Sequence, residues 1–337
     1  MIYMMKTVQK KDFNNLFRPE ADSHKGQNGR LHVIGGSHLF HAASLWSLTV
    51  ASRIVDLVHY SSVPENNEIV AKAKEEFRNG IVVPRVDIEN YIEEDDCILI
   101  GPGMMRSETS KVHGSRLMVH SLEEINSIDD EGGQTEALTN YLLTKYPNKQ
   151  WVIDAGALQM VDPRVIPKNA ILTPHYKEYI NFADRALVAI RNFGPFPVSL
   201  VEMAQPALLS ETHSQSGTGQ NFNSSPHDLE KHVQYLANKL GCTVLLKGQI
   251  DIACSPTECR EIQGGNAGMT KGGTGDVLAG LIAALACKND PYLATIAGSY
   301  INKKAGDELY KTMGPYFNAT DLANEIPKVM KELIYEK

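Results

Sequence analysis

Short apolar runs that end in glycine or another turn residue recur along this chain: LHVIGGS (31–37), CILIGPG (97–103), WVIDAGAL (151–158), AILTPH (170–175) and TVLLKG (243–248). Their length and aliphatic content predict strands buried on both faces. Helical spacing of apolar residues runs from Ala42 to Val58, Asp228 to Leu240, Val277 to Cys287, Leu293 to Leu309 and Asp321 to Ile334. Strands alternating with helices predict an α/β fold, a mainly parallel central sheet with helices on both faces. Such a sheet binds ligands where loops leave the carboxyl ends of its strands, and the glycine, proline and acidic punctuation falls at those ends.

Two stretches break the alternation. Residues 106–134 are polar and charged, and residues 210–226 (SETHSQSGTGQNFNSSP) are nearly all small, polar and turn-prone. Their composition predicts mobile surface insertions, with a lid over a ligand as the sharper alternative. Neither an internal repeat nor a proline-rich linker divides the chain into independent domains.

Charge and cysteine usage narrow the setting. Thirty-three basic against forty acidic residues leave a net charge of −7, which argues against nucleic acid or an anionic membrane as the main partner. A small anionic ligand held by local groups stays compatible. The 337 residues are enough to bury roughly three quarters of the unfolded chain's surface, so neither disulfides nor metals are needed for stability. The five cysteines are odd in number, scattered and without a Cys-x-x-Cys pair, which predicts reduced thiols in a cytoplasmic protein. The opening MIYMMKTVQKKDFNNLF is broken by Lys6, Lys10 and Lys11 and lacks a cleavage site. No segment approaches a membrane span, so the expectation is a soluble, unexported protein.

The densest chemistry lies in GGNAGMTKGGTGDVLAGLIAALA (264–286). Gly272, Gly273 and Gly275 remove side chains where the backbone turns sharply into a helix whose first N–H groups carry about half a positive charge, an anion site. It is not a P-loop, because Lys271 follows Thr270 and precedes Gly272, and not a dinucleotide fingerprint, because Leu278 stands where the third glycine belongs. A carboxylate at such a turn would repel phosphate unless it had work of its own. Asp276 is therefore either the helix N-cap, stabilising by roughly 1 kcal/mol, or a base that takes a proton from a hydroxyl attacking a phosphoryl group, contributing about 10²- to 10⁴-fold in rate.

GMTKGGTGDVLAGLIAAL resembles the Gly-x-Gly-Asp anion-hole turn of the ribokinase-like superfamily, and more closely its NAD(P)H-hydrate dehydratase branch. KGQNGRLHVIGGS (25–37), IGPGM (100–104), VIDAGAL (152–158), LTPHYKEY (172–179) and LLKGQID (245–251) follow in that family's order, and the likeness extends to ATDLANEIPKVM near the C-terminus. The resemblance implies one ribokinase-like domain over residues 25–337 behind an N-terminal extension (1–24), with polar insertions near 106–134 and 210–226. It also implies a repair reaction. The hydroxyl of the (S)-epimer of NADH or NADPH hydrate is phosphorylated by ADP or ATP, and phosphate then leaves so that the dihydropyridine re-forms. Hydroxide is a poor leaving group and phosphate a good one, and the ring nitrogen can expel it.

Residue by residue, the resemblance makes Asp276 the catalytic base and a hydrate contact, and the backbone of Gly273, Thr274 and Gly275 the hole for the transferred phosphoryl group. Lys247, Gly248, Gln249, Ile250 and Asp251, with Gly275, correspond to the loop that holds the AMP portion of the nucleotide. His175, Ala43, Gly103 and Met105 fall at hydrate-binding positions. Glu178 stands where kinases of the superfamily carry the acid of Asn-x-x-Glu, which organises magnesium indirectly, and His175 at the head of that motif favours the dehydratase branch. Mg²⁺, ADP or ATP, a homo-oligomer (commonly a tetramer) and a separate NAD(P)H-hydrate epimerase are the implied cofactors and partners.

Plainer readings stand beside these. His175 can be a histidine satisfied by backbone after a strand, and Lys247 a solvated lysine at a strand end. No further His or Cys at ligand spacing joins His175 and Glu178 in a zinc site. Three positions depart from the family pattern: Ala42 replaces a glycine, Met105 stands where a glycine is common, and Gly156 replaces a second acid. A small-molecule alcohol kinase, such as a thiamine-precursor kinase, and a non-catalytic nucleotide sensor are the alternative functions.

Overall fold

The computed structural model describes residues 5–73, 79–107, 119–189 and 226–335. Among them, ten strands form one sheet: β1 (Lys6–Thr7), β2 (Arg30–Ile34), β3 (Leu57–Ser61), β4 (Ile81–Val82), β5 (Cys97–Ile100), β6 (Gln150–Ile153), β7 (Ile171–Leu172), β8 (Thr243–Leu246), β9 (Asp251–Cys254) and β10 (Cys259–Ile262). Their spatial order is β1-β10-β9-β8-β7-β6-β5-β2-β3-β4. From β8 to β4 every neighbouring pair is parallel. Only β9 runs against its neighbours, and Lys6–Thr7 of β1 add in parallel beside Arg260 and Glu261.

The described helices are α1 (His41–Ala51), α2 (Pro64–Ala73), α3 (Ile88–Ile92), α4 (Leu122–Asn126), α5 (Glu131–Lys145), α6 (Ala155–Met160), α7 (Tyr176–Ala189), α8 (Pro226–Leu240), α9 (Thr274–Ala286), α10 (Pro291–Met313) and α11 (Ala319–Ile334). Successive strand residues point to opposite faces, and the chain fills both. Val33, Leu99, Val152 and Leu245 pack with α1, α9, α10 and α11 in one core. Ile34, Ile98, Ile153 and Leu246 pack with α3, α5, α7 and α8 in the other. Fully burying a leucine or isoleucine such as Leu281 or Ile282 contributes roughly 1.5–3 kcal/mol. Gly280 brings α9 against α1, because a Cβ there would stand 2.6 Å from Ser47 Cα.

Three expectations are corrected. The helix predicted to Val58 ends at Ala51, because Leu57–Ser61 form β3 in register with β2; one apolar run serves two elements. The polar stretch 106–134 contains ordered helix: Ser121 Oγ caps α4 by accepting from the Glu124 amide at 3.2 Å, and Leu122 and Ile125 are buried. Asp130 caps α5 in the same way through the Gly133 amide at 2.7 Å. The other insertion, apart from Pro226 at the start of α8, lies outside the described residues, as does 108–118. Finally, Cys254 and Cys259 are bonded in a disulfide, not free thiols. The antiparallel β9–β10 pair sets them directly opposite one another, a juxtaposition that spacing in sequence does not reveal. Cys97, Cys242 and Cys287 are free and buried.

From β2 the chain builds outward to β3 and β4, then returns to the other side of β2 for β5. Between β2 and β5 the strand order therefore reverses, leaving a crevice at their carboxyl ends. No helix among the described residues is long and apolar enough to cross a membrane.

Candidate functional site

The glycine turn enters α9 through Gly273, its N-cap, at φ 94°. A Cβ there would be both in the left-handed region and 2.4 Å from the Trp46 ring, so only glycine fits. The N-cap is Gly273, and Asp276 is the third residue of α9, where its carboxylate accepts from its own amide in the first turn. The Thr274 hydroxyl is turned back into the loop, donating to the carbonyls of Met269 (2.7 Å) and Lys271 (2.9 Å). Of the first-turn amides, that of Thr274 donates to the Lys271 carbonyl at 3.4 Å and that of Asp276 to its own carboxylate, while the Gly275 amide lies at the helix start where an anion would bind.

Around Asp276 stand Lys247 and two acids. Lys247, at the end of β8, places Nζ 2.9 Å from Asp154 Oδ1 at the end of β6. The same ammonium lies 3.7 Å from where a Cβ on Gly275 would be. Lys247 is thus an ion-paired, partly buried cation and not a solvated one. Thr173 at the end of β7 donates to Asp154 Oδ1 at 2.8 Å, fixing a carboxylate that is 2% exposed. Burial would lower the Lys247 pKa, but Asp154, Glu178 and Asp276 together raise it. For Asp276, burial and then the Asp154 charge push the pKa up to about 7, with Glu178 adding to the rise and Lys247 opposing it.

His175 and Glu178 form a reciprocal cap at the start of α7. Glu178 Oε2 accepts from the His175 amide at 2.9 Å, and His175 Nδ1 accepts from the Glu178 amide at 3.3 Å. Nε2 is then the protonated ring nitrogen. The remaining Glu178 oxygen accepts from Gln159 Nε2 at 3.0 Å. Both carboxylate oxygens are therefore engaged. The backbone reading of His175 holds at Nδ1; Nε2 lies 3.5 Å from Glu178 Oε1, the ring is half exposed, and the backbone at His175 is bridged to that at Lys247.

The Lys247–Asp251 turn is built as a rigid, exposed rim. Asp251 is buried, with Oδ1 accepting from the Gly248 amide (2.8 Å) and Oδ2 from Ser299 Oγ (2.7 Å). Lys303 Nζ donates to the carbonyls of Gly248 and Gln249 at 3.1 and 2.9 Å. Gly248, Gln249 and Ile250 stay exposed. Asp251 therefore holds the loop's shape from within.

At the β2–β5 crevice, a Cβ on Gly103 would meet the Phe40 carbonyl at 2.4 Å, Ala43 Cβ at 3.0 Å and Gly36 Cα at 3.2 Å. Gly36, Ala43 and Gly103 therefore share one surface. Ala43 lies one helical turn before Ser47, whose hydroxyl donates to the Asp276 carbonyl at 2.7 Å, which sets this surface beside the glycine turn. Ala42 lies within α1, and the described non-glycine residues at positive φ are Ala155 and Asn169, so the missing glycine costs no strain. Gly156 has no room for an acid, since a Cβ there would stand 2.1 Å from the Met104 carbonyl. Met105 is half-buried and faces a neighbouring cleft that also borders Gly36.

Sequence reading missed Asp154 and Lys303. The first sits inside VIDAGAL, 93 residues from the lysine that pairs with it; the second lies mid-helix with no local signal.

Sheet order, crevice and glycine turn together define a ribokinase-like α/β protein. A ribokinase-like protein of Enterococcus faecalis superimposes with a TM-score of 0.72 at 21% identity, covering 100% of this chain and 99% of that one. The chain belongs to the NAD(P)H-hydrate dehydratase family, whose model matches residues 31–328. It is 32% identical over 93% of its length to the ADP-dependent (S)-NAD(P)H-hydrate dehydratase of Nitrosopumilus maritimus, covering 92% of that protein. It is 30% identical over 95% of its length to the bifunctional NAD(P)H-hydrate repair enzyme Nnr of Methanocaldococcus jannaschii, of which it spans about half, 52%. The ADP/ATP-dependent NAD(P)H-hydrate dehydratase of Bacillus subtilis, co-crystallised with ATP and Mg²⁺, shares the fold with a TM-score of 0.67 at 20% identity, covering 98% of this chain and 99% of that one.

Proposed function

We propose that this chain dehydrates the (S)-epimer of NAD(P)H hydrate using ADP or ATP. The observation that carries the reading is a carboxylate poised near neutrality, Asp276, in the first turn of an anion-binding helix and beside Lys247. The hydrate hydroxyl gives its proton to Asp276 as its oxygen attacks the terminal phosphoryl group, and AMP or ADP leaves. The amides of Gly273, Thr274 and Gly275 receive the transferring phosphoryl oxygens. The ring nitrogen's electron pair then expels phosphate, and loss of a proton from the adjacent carbon restores the dihydropyridine. Nothing is oxidised or reduced.

Lys247 offers its charge to the nucleotide phosphates, and the rim Gly248–Ile250 holds the AMP portion. His175, Ala43 and Gly103 line the hydrate side, with Met105 beyond them. Oxygen donors suit magnesium, which keeps several waters and binds largely through substrate phosphates. No group of three candidate metal ligands converges among the described residues, and Glu178 has both oxygens engaged. Magnesium would accordingly ride on the nucleotide with Glu178 and Asp154 behind it, neutralising phosphate charge. A homo-oligomer, a cytoplasmic setting and a separate epimerase complete this reading.

The test is the near-ultraviolet absorbance of reduced nicotinamide on incubation of the protein and magnesium with chemically prepared NADH hydrate. Its return with ADP or ATP, but not without nucleotide, is expected. No return, with ATP consumed on other alcohols, would move the site to a kinase.

A further inference from the structure

Beside the Gly36 and Met105 side of the crevice lies a small, partly open cleft of about 20 Å³ whose walls include Arg85, Ser61, Ser62 and Glu131. Arg85 is only 7% exposed. Among the described residues its guanidinium has one hydrogen bond, from Nη1 to Gln134 Oε1 at 2.9 Å, and no ion pair. The Gln134 oxygen is held in that orientation because Nε2 donates to the Ile128 carbonyl at 2.6 Å. Glu131 is the acid whose field Arg85 feels, but its carboxylate is turned to His38, bonding both Nδ1 and the backbone amide. Burial lowers the Arg85 pKa to about 10 despite Glu131, so the group stays cationic at neutral pH. A second observation comes from the next wall: the Ser61 hydroxyl is buried with no hydrogen-bond partner.

A buried cation bonded to a neutral amide, lining the same cleft as an unsatisfied hydroxyl, is costly unless an anion completes both. We propose that this cleft is a phosphate-binding subsite, held by the Arg85 guanidinium and the Ser61 hydroxyl. An arginine fork suits the paired oxygens of a phosphate group. The cleft shares Gly36 and Met105 with the hydrate side of the candidate site, so its phosphate comes either from the dinucleotide substrate's own phosphates or from the inorganic phosphate the reaction releases. The assignment of these two sources rests on the proposed dehydration, while the presence of the subsite does not.

The experiment is isothermal titration of wild type, Arg85→Gln, Arg85→Lys and Ser61→Ala with NADP⁺ and, separately, with inorganic phosphate. KM and kcat for NADPH hydrate are measured on the same proteins. Binding weakened about ten-fold or more in Arg85→Gln, partly restored in Arg85→Lys and weakened about three-fold in Ser61→Ala is expected. Loss confined to NADP⁺, with KM raised and kcat changed much less, identifies the substrate's phosphates. Loss confined to inorganic phosphate identifies the product. Unchanged titrations in every folded variant overturn the proposal; should Arg85→Gln not fold, Arg85→Lys and Ser61→Ala decide it in the same way. If wild type does not dehydrate the hydrate while phosphate binding still depends on Arg85, the proposed reaction fails and the subsite stands.

Discussion

The Lys247 ammonium and the Asp154 carboxylate meet at 2.9 Å across β7, from the ends of β8 and β6. The pair stands next to the glycine turn and adjusts how Asp276 titrates: burial raises its pKa most, Asp154 raises it further and Lys247 opposes both.

If Asp276 is the base, Asp276→Asn lowers kcat by about 10²- to 10⁴-fold while nucleotide binding, followed by titration, survives. The same change should raise the melting temperature at pH 8. A carboxylate whose folded pKa, about 7, exceeds its unfolded value makes the native state less stable as pH rises between the two. The gain should shrink at pH 5, where the native group is already protonated. Thermal melts at both pH values check the sign.

The pH dependence of kcat/KM should rise with unit slope and level off above about 7 as Asp276 ionises. Asp154→Asn removes a neighbouring negative charge and frees Lys247 to face Asp276. Both effects lower the Asp276 pKa. An inflection displaced to lower pH is therefore expected in the variant's rate profile, and an unmoved inflection would assign the limb to another group.

Gly273→Ala places a Cβ in the left-handed region and against Trp46. Backbone strain of this kind costs about 1–3 kcal/mol, and the ring contact adds to it. Chemical denaturation should show at least that loss, with nucleotide affinity falling because the amides of the turn are displaced.

The Cys254–Cys259 bridge closes a short loop at the end of the β9–β10 hairpin away from the Lys247–Asp251 turn. Chain-entropy arguments give such a closure about 2 kcal/mol. Replacing both residues with alanine should lower the melting temperature by several degrees and leave kcat nearly unchanged.

His32 and His59 both approach Asp95, at 3.2 and 2.8 Å, inside the sheet. Burial holds the His32 pKa below 6.5 despite Asp95; burial alone would raise the Asp95 pKa, but His32 and His59 together hold it below the usual carboxylate range. Both depressed groups contribute stability at neutral pH that is lost on acidification: His32 as pH falls below 6.5, Asp95 further down. His32→Phe should flatten the melting temperature between pH 5 and 7.

Much of the candidate site was legible because local spacing carries it. Asp276, the glycines before it and the Lys247 loop each lie within a few residues of sequence whose turn chemistry is explicit. Asp154 was not, because its meaning depends on a lysine 93 positions away. The helix α4 hid in a charged run, since two buried positions, Leu122 and Ile125, suffice to anchor five residues.

By itself the sequence determined the alternation of strand and helix, the glycine-rich turn and the acid within it, because periodicity and glycine content act over one or two turns of chain. Only the tertiary structure decided which strands adjoin, that Cys254 faces Cys259, that Lys247 is paired to Asp154, and that Arg85 and Ser61 line one cleft. These follow from register and strand order across the sheet, where residues far apart in sequence are brought to hydrogen-bond distance and removed from water together.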